Sequence, residues 1–328
     1  MTLAAAEIIS KIRTAFAPCT LGVWPTPLAA AHALGAEFGL AELWIKREDR
    51  SAAAYGGNKV RSLEFLLAGA PPDAVFVTIG GVGSTHCVAT AVHARAIGRR
   101  AALAQFPQPE TEVSRQLAAA ARGAAAIVER ARWRATFPAA IWRAWRGAGE
   151  LGRPVWIAGG GAHPLAVVAQ ALGGLELAGQ LGDPPEAIVA PLGSGGTAAG
   201  LCLAVGALGW PTRVIAVRVA PAVVANRWRV RRLAAGARRE LARAGLGFAA
   251  GAQHWSLDIK DGLGRGYGHP TAAGLAATQV AARFGVELDP TYTAKAFAVI
   301  PRLVAAGFRR VVFWHTFALP PASMEHNR

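Results

Sequence analysis

Lys59 lies in a segment that favours amine chemistry, AYGGNKVRSLEFLL at residues 54–67. Two glycines free the backbone before Asn58, and an apolar pattern of helical spacing begins directly after it. We therefore expect Lys59 in the first turn of a helix, where the positive end of the helix dipole disfavours a second cation and lowers the pKa of the amine. A neutral lysine amine is the nucleophile that forms Schiff bases. The same pattern is also compatible with a surface lysine in a turn.

A second segment, APLGSGGTAAGLCLAV at residues 190–205, has the composition of an anion site. An apolar strand pattern runs into a turn of small residues and then into a helix. Small residues let successive backbone N–H groups converge on one anion, and the helix N-terminus adds its dipole. The turn therefore predicts a phosphate site, although close packing of a strand against a helix would also explain the glycines. The residues of this site are Gly193, Ser194, Gly195, Gly196 and Thr197.

Two further groups of polar side chains lie in glycine-containing turns. Ser84, Thr85 and His86 follow an apolar strand pattern and precede a helix, so their hydroxyl and N–H groups could bind a carboxylate. His86 by itself is also typical of a structural residue at a helix end. Tyr267 and Tyr292 are two of the three tyrosines of the chain. Each is either a packing anchor or a proton donor.

The composition is that of a globular protein with a large buried core, since 53% of the 328 residues are hydrophobic and 17% are charged. The net charge of +15 comes mostly from arginine and is largely spread along the chain, which argues against a nucleic-acid-binding protein. The densest basic run, residues 227–245, is typical of a solvated helix, with a binding patch as the alternative. Three cysteines without metal-ligand spacing predict a reducing cytoplasm and no metal site.

No segment has the pattern of a signal peptide or a membrane span. Residues 1–16 lack a basic start and a cleavage site and predict an amphipathic helix. The longest uncharged stretch, residues 187–212, contains prolines, hydroxyl side chains and several glycines. It predicts a strand, a loop and a buried helix, and we therefore expect no membrane association.

Short β-rich apolar runs alternate with longer helical patterns along the chain. Because the runs are almost continuously apolar, we expect strands that are covered on both faces, as in parallel α/β layers. The predicted strands are residues 43–47, 74–80, 101–106, 125–129, 154–158, 186–192, 213–219 and 310–315.

Taken together, these segments resemble the D-cysteine desulfhydrase and 1-aminocyclopropane-1-carboxylate (ACC) deaminase family of fold-type II pyridoxal-phosphate (PLP) enzymes. The similarity covers nearly the whole chain in order, and the combination of G-G-N-K, G-S-G-G-T and D-P-x-Y-x-x-K is specific. The matching motifs are PTPL (25–28), IKRED (45–49), GGNKVR (56–61), GSTH (83–86), GSGGT (193–197), GYGHP (266–270), DPTYTAK (289–295) and WHT (314–316).

The resemblance implies an α/β fold with two three-layer α/β/α domains and mainly parallel sheets. It implies a large PLP-binding domain from residues 1–60 and 168–328, a small domain from residues 61–167, and a homodimer. A small amino acid is the implied substrate.

The resemblance also implies a role for each site residue. Lys59 would form the Schiff base with PLP. The implied catalytic residues are Lys59, Ser84, Tyr267 and Tyr292. The implied PLP contacts are Asn58, Lys59, Thr85, Gly193, Ser194, Gly195, Gly196, Thr197, Thr293 and Thr316. The implied substrate contacts are Ser84, Thr85, His86, Gly161 and Tyr292.

Two positions distinguish the branches of that family. Thr293 stands where the deaminase pattern has a glutamate, and His86 stands where it has a glutamine. A carboxylate at the pyridine nitrogen keeps the nitrogen protonated, whereas a neutral hydroxyl does not, which suits elimination of a β-substituent. Both positions therefore favour desulfhydrase-like chemistry.

Other positions depart from the family pattern. Thr85 replaces an asparagine that donates to the phenolic oxygen of PLP, and Ser62 replaces a basic residue. Ala162 falls in a segment that usually reads G-G-S-N, and Phe317 stands where the family has glycine. These changes lie around the expected substrate and cofactor edges, so they indicate retained PLP binding with an altered substrate or altered chemistry.

The sequence thus predicts a PLP-dependent lyase or deaminase that acts on a small amino acid. Lys59 would remove the α-proton, and loss of a β-leaving group would lead to a 2-oxo acid and ammonia. One alternative is β- or γ-replacement or another PLP reaction in a specialised biosynthetic pathway, favoured by Thr85, Ala162 and Phe317. The other is a PLP-binding protein with impaired catalysis, favoured by Ser62 and Thr85.

Overall fold

The computed structural model describes residues 3–246 and 254–320. Every strand predicted from an apolar run is present within two residues of its predicted bounds, and the described ranges contain two strands more. The strands are β1 (Leu28–Ala30), β2 (Glu42–Arg47), β3 (Ala74–Gly81), β4 (Arg100–Phe106), β5 (Ile127–Arg130), β6 (Arg153–Ile157), β7 (Ala187–Leu192), β8 (Arg213–Arg218), β9 (Ser256–Asp261) and β10 (Arg310–His315).

The strands form two sheets. The first has the order β1-β2-β10-β7-β8-β9 and is parallel except for the antiparallel pair β1 and β2. The second has the order β5-β4-β3-β6 and is parallel throughout. The predicted α/β fold with mainly parallel sheets is confirmed. The domain limits, including the terminal residues outside the described ranges, remain a prediction.

Helices connect most of the strands and cover the sheets. The predicted N-terminal helix is present from residue 3, and residues 1–2 lie outside the described ranges. No helix of the described residues is long and apolar enough to cross a membrane. The helices are α1 (Leu3–Phe16), α2 (His32–Ala36), α3 (Lys59–Leu66), α4 (Thr85–Ala96), α5 (Glu112–Ala124), α6 (Phe137–Leu151), α7 (Pro164–Gln180), α8 (Gly196–Ala207), α9 (Arg227–Arg243), α10 (Ala272–Ala282), α11 (Thr293–Phe297) and α12 (Ile300–Ala305).

Helices α7 and α8 pack closely because small residues face each other between them. A Cβ atom at Gly174 would collide with Ala204, and one at Gly200 would collide with Gln170. The uncharged stretch predicted as strand, loop and buried helix forms β7 and α8, and α8 is buried along nearly its whole length. This packing fixes the loop between β7 and α8.

A buried ionic cluster lies beneath α3 and joins it to β2 and α7. The Arg61 guanidinium contacts Glu48 at 2.8 Å and Glu176 at 2.7 Å, and it stacks 3.8 Å from the centroid of the Trp24 ring. The ammonium group of Lys46 lies 2.7 Å from Glu176. Because Arg61 lies two residues after Lys59, the cluster fixes the turn of α3 that carries Lys59.

Candidate active site

A cavity of about 420 Å³ opens at the carboxyl ends of β3 and β7. Ligand sites of parallel α/β proteins lie at this end of the strands. All predicted site residues line the cavity except Gly161 and Thr293. Those that line it are Asn58, Lys59, Ser84, Thr85, His86, Gly193, Ser194, Gly195, Gly196, Thr197, Tyr267, Tyr292 and Thr316.

Lys59 is the first residue of α3, as the sequence predicted. The Asn58 side chain does not cap this helix and instead donates to the Thr197 hydroxyl at 2.7 Å, which joins α3 to the loop before α8. The Lys59 Nζ donates to the carbonyl of Gly160 at 3.1 Å. Burial lowers the pKa of Lys59 to about 8. The lowered pKa is thus as expected, and its cause is the removal of the amine from water.

The loop of residues 193–197 has the geometry of an anion site. Gly195 has a φ of +95°, which glycine adopts without strain, and α8 begins at the next residue. The first N–H groups of α8 have no acceptor within the helix, so they are free to bind an anion. A side chain at Gly193 would extend into open space, with no heavy atom within 4 Å of its Cβ. The glycine therefore leaves room for a ligand, which fits the predicted phosphate.

Gly160 links Lys59 to that loop. Its carbonyl accepts from Lys59 and also from the Ser194 hydroxyl at 3.1 Å. Its φ is +67°, and a Cβ there would lie 2.7 Å from Ser194. Gly161, the predicted substrate contact, does not line the cavity, and its Cβ direction points toward the His86 ring. The sequence did not show which of the adjacent glycines faces the cavity.

Ser84, Thr85 and His86 form the start of α4. Ser84 is its N-cap and accepts from the amide of Cys87 at 3.4 Å. The His86 Nε2 lies 2.9 Å from the Thr78 hydroxyl, which donates to a backbone carbonyl, so Nε2 carries the ring proton and Nδ1 is left without one. Burial, and next the charge of Lys59, lower the pKa of His86 to about 3. The ring is therefore neutral and offers no positive charge to a carboxylate.

The two predicted tyrosines meet over the cavity, and their hydroxyl groups are hydrogen-bonded to each other. Burial raises the pKa of both Tyr267 and Tyr292, so both stay protonated at neutral pH. The carboxylate of Asp289 accepts from the amide of Tyr292 at 2.9 Å, and Lys295 donates to two carbonyls of the loop before Tyr267. These contacts hold a protonated pair that can donate.

Thr293 is held by the residues around it, and its predicted contact with PLP remains a prediction. It is fully buried, and its hydroxyl donates to the Asp289 carboxylate at 2.7 Å and accepts from the Asp289 amide at 2.7 Å. These bonds join the first residue of the short helix α11 to Asp289, and Thr293 is not part of the cavity lining.

Several residues of the cavity were not predicted from the sequence. Gly160, Phe106, Arg134 and Arg229 all line it. Arg229 belongs to the basic run interpreted mainly as a solvated helix, and its Nε donates to the carbonyl of Ser194 at 2.9 Å. Phe106 ends a strand and Arg134 lies in a short turn, so no local pattern marked either residue.

Residues 19–316 match the family of pyridoxal-phosphate dependent enzymes. This chain belongs to that family. Nocardicin C-9' epimerase of Nocardia uniformis subsp. tsuyamanensis is 35% identical over 83% of this chain and 85% of its own length. D-cysteine desulfhydrase of Klebsiella pneumoniae strain 342 is 29% identical over 92% of this chain and 94% of its own length. The crystal structure of an ACC deaminase homologue has a TM-score of 0.78 at 26% identity, covering 93% of this chain and 94% of that one.

These similarities confirm the resemblance to the D-cysteine desulfhydrase and ACC deaminase group and the fold-type II architecture. They also confirm PLP as the cofactor and the prediction, at family level, of a PLP-dependent lyase or deaminase. The residues present fit PLP, since an amine of lowered pKa and an anion loop with open space share one cavity.

Thr85 provides a test of how this PLP enzyme differs from the family pattern. Within the described ranges, its hydroxyl has no hydrogen-bond partner in the protein, although it lines the cavity. Because a bond to a charged oxygen contributes about 1.5–3 kcal/mol, Thr85→Asn is expected to tighten PLP binding by about ten- to a hundredfold and to shift the absorbance band. Thr85→Ala is expected to leave the affinity for PLP nearly unchanged. Release of PLP from Thr85→Ala would show that the hydroxyl already makes the contact.

Proposed function

We propose that this PLP enzyme removes the α-proton of a small amino acid and eliminates its β-substituent, and that water then hydrolyses the released aminoacrylate to a 2-oxo acid and ammonia. The observation that carries the proposal is the position of Lys59. Its amine, with a pKa lowered to about 8, shares one cavity with the anion loop and with the protonated tyrosine pair. A base near neutral pKa and a proton donor are the groups that an elimination needs.

The proposed roles follow from these positions. Residues 193–197 bind the PLP phosphate, and Lys59 carries the cofactor covalently and then acts as the base at the α-carbon. When bound, PLP supplies an electron sink that stabilises negative charge on the α-carbon. Ser84, Thr85 and the N-terminus of α4 bind the substrate carboxylate through hydroxyl and N–H groups. Tyr267 and Tyr292 donate a proton to the departing group.

The lining of the cavity supports elimination over ring opening of ACC. No aspartate or glutamate of the described ranges lines it, and the nearest candidate, Asp289, already accepts four hydrogen bonds from neighbouring groups. The cavity lining therefore provides no carboxylate that would keep the pyridine nitrogen of PLP protonated. This favours a reaction in which a β-substituent leaves as the α-proton is removed.

The substrate prediction is tested by incubating the PLP-loaded enzyme with D-cysteine, β-chloroalanine and ACC. We expect D-cysteine or β-chloroalanine to give a 2-oxo acid faster than ACC does, with free PLP as the background control. Faster turnover of ACC would contradict the assignment of the chemistry. Cofactor binding without turnover of any amino acid would instead support the catalytically impaired alternative.

A second candidate function is epimerisation at an α-carbon, favoured by the 35% identity to nocardicin C-9' epimerase. Both reactions begin with removal of the α-proton, and epimerisation ends with its return on the opposite face. Incubation in D₂O distinguishes them. Deuterium at the α-carbon of recovered amino acid of inverted configuration, without 2-oxo acid, would favour epimerisation.

We further propose a cytoplasmic homodimer with the domain limits given above. The three cysteines are free thiols, which fits a reducing compartment. The six-stranded sheet takes its strands from residues 28–47 and 187–315 and the four-stranded sheet from residues 74–157, which supports the proposed limits.

A further inference from the structure

Arg229 lies beside the loop of residues 193–197 and not out in solvent like its neighbours. It occupies the first turn of α9 and lines the cavity. Its Nε donates to the carbonyl of Ser194 at 2.9 Å, and its Cγ lies 3.9 Å from the position of a Cβ at Gly195. The hydrogen bond to Ser194 therefore holds the guanidinium next to the loop.

The charge of Arg229 has no counterion in the described ranges. Its only side-chain hydrogen bond there is to Ser194, and no carboxylate there forms an ion pair with it. Arg213, Arg218 and Arg243 nearby form ion pairs with Asp258, Asp261 and Glu240. Other arginines of α9 without an ion pair, such as Arg231 and Arg232, are exposed to solvent, whereas Arg229 is half-buried beside the loop. Since Nε is used by the loop, the two terminal nitrogens of Arg229 are available for an anion.

The charges around Arg229 indicate which anion it binds. The charged side chains that line the cavity within the described ranges are all cationic: Lys59, Arg134 and Arg229. Arg134 is exposed and lies in the turn before α6, without a bond to the loop of residues 193–197. The donors of that loop are neutral amides and hydroxyls, whereas a phosphate monoester carries about −1.5 to −2 charges at neutral pH. Arg229 is the cation attached to the loop.

We propose that Arg229 is a direct ligand of the PLP phosphate and that it favours the doubly charged form. This rests on the proposed position of the phosphate at residues 193–197. The guanidinium supplies charge that the neutral loop lacks, and its bond to Ser194 fixes its orientation before the cofactor binds.

The first experiment compares PLP with pyridoxal, which lacks the phosphate. Binding to the apoprotein is followed by absorbance for the native chain, Arg229→Gln, Arg229→Lys and the control Arg232→Gln. Arg232 is an exposed residue of the same helix that lies over the Trp228 ring. Arg229→Gln is expected to weaken PLP binding by about ten- to a hundredfold, because a charged hydrogen bond is lost, while pyridoxal binding is unchanged. Arg232→Gln is expected to bind PLP like the native chain.

The second experiment measures the charge state directly by ³¹P NMR of bound PLP. The second pKa of a free phosphate monoester is about 6. In the native chain and in Arg229→Lys we expect the phosphate to stay doubly charged at pH 6, whereas in Arg229→Gln its titration midpoint rises toward the free value. If Arg229 only shaped the loop, Arg229→Lys and Arg229→Gln would weaken PLP binding equally. The ³¹P titration midpoint would then not depend on whether residue 229 is charged.

Each outcome decides the proposal. Equal PLP binding by Arg229→Gln and the native chain overturns it, as does an unchanged ³¹P titration. A raised KM for substrate with unchanged PLP affinity would mean that Arg229 binds an anion of the substrate, which also overturns it. Gly193→Val tests the underlying position of the phosphate separately. If that variant binds PLP normally, the loop assignment itself is wrong.

Discussion

Lys59→Ala is expected to lower turnover by about 10³- to 10⁴-fold, because it removes both the covalent link to PLP and the base at the α-carbon. Borohydride reduction of the native enzyme followed by peptide mapping should place PLP on Lys59. Apoprotein should capture PLP faster as pH rises and level off above about 8, since the lowered pKa leaves the Lys59 amine neutral there.

The buried lysines Lys46 and Lys295 differ from Lys59 in the number of hydrogen bonds that their amines form. Lys46 Nζ bonds to Glu176 at 2.7 Å and to the Thr26 carbonyl at 2.8 Å, and Lys295 Nζ bonds to two backbone carbonyls. Burial lowers the pKa of both Lys46 and Lys295, but the nitrogen of each is already engaged by these bonds. A reduced PLP adduct on Lys46, Lys260 or Lys295 would therefore disprove the assignment of Lys59.

Arg61→Met is expected to lower the free energy of unfolding by about 3–5 kcal/mol, because it leaves two buried carboxylates without their main partner. Arg61 is 1% exposed, and Glu48 and Glu176 both bond to it. Urea unfolding of the apoprotein measures the change. Arg115→Ala, which breaks an exposed pair with Glu110 and Glu112, is the control and should change stability by less than about 1 kcal/mol.

The loss of stability caused by Arg61→Met is expected to depend on pH. Burial alone would raise the pKa of Glu48, but the charge and hydrogen bonds of Arg61 hold it below its usual value. A carboxyl with a lowered pKa stabilises the fold above its unfolded pKa, about 4.3, and that stabilisation is lost as pH falls. Without Arg61 the pKa of Glu48 rises above that value, so protonation relieves the buried charge. The difference in free energy of unfolding between the native chain and Arg61→Met should be largest at neutral pH and decrease toward pH 4. A difference that increases toward pH 4 would contradict this explanation.

The strands of the fold were predictable because most of them are buried and apolar. The two that were missed lie at the edges of the first sheet. β9, SLDIKD, alternates polar and apolar residues, and β1 has only three residues and pairs antiparallel. Edge strands contact solvent, so their composition resembles that of loops.

The site was predictable where a short segment carries the chemistry. Lys59 at a helix start and the glycine turn before α8 are local patterns. Arg229 and Arg134 could not be assigned in this way, since only the packing of α9 and of the turn before α6 brings them to the cavity. The bond between the Thr293 hydroxyl and Asp289, four residues earlier, was likewise not shown by the resemblance alone.

The close packing of α7 against α8 has a consequence for how the range of accepted substrates can change. Gly174 and Gly200 have no room for a side chain. Mutations between α7 and α8 would therefore displace the loop that binds the PLP phosphate rather than change the shape of the substrate pocket. The part of the lining that comes from the end of β4 and the turn before α6 carries larger residues, Phe106 and Arg134. Natural divergence and laboratory evolution should therefore accumulate substitutions in that part of the lining, where new amino-acid side chains can be accepted without loss of PLP.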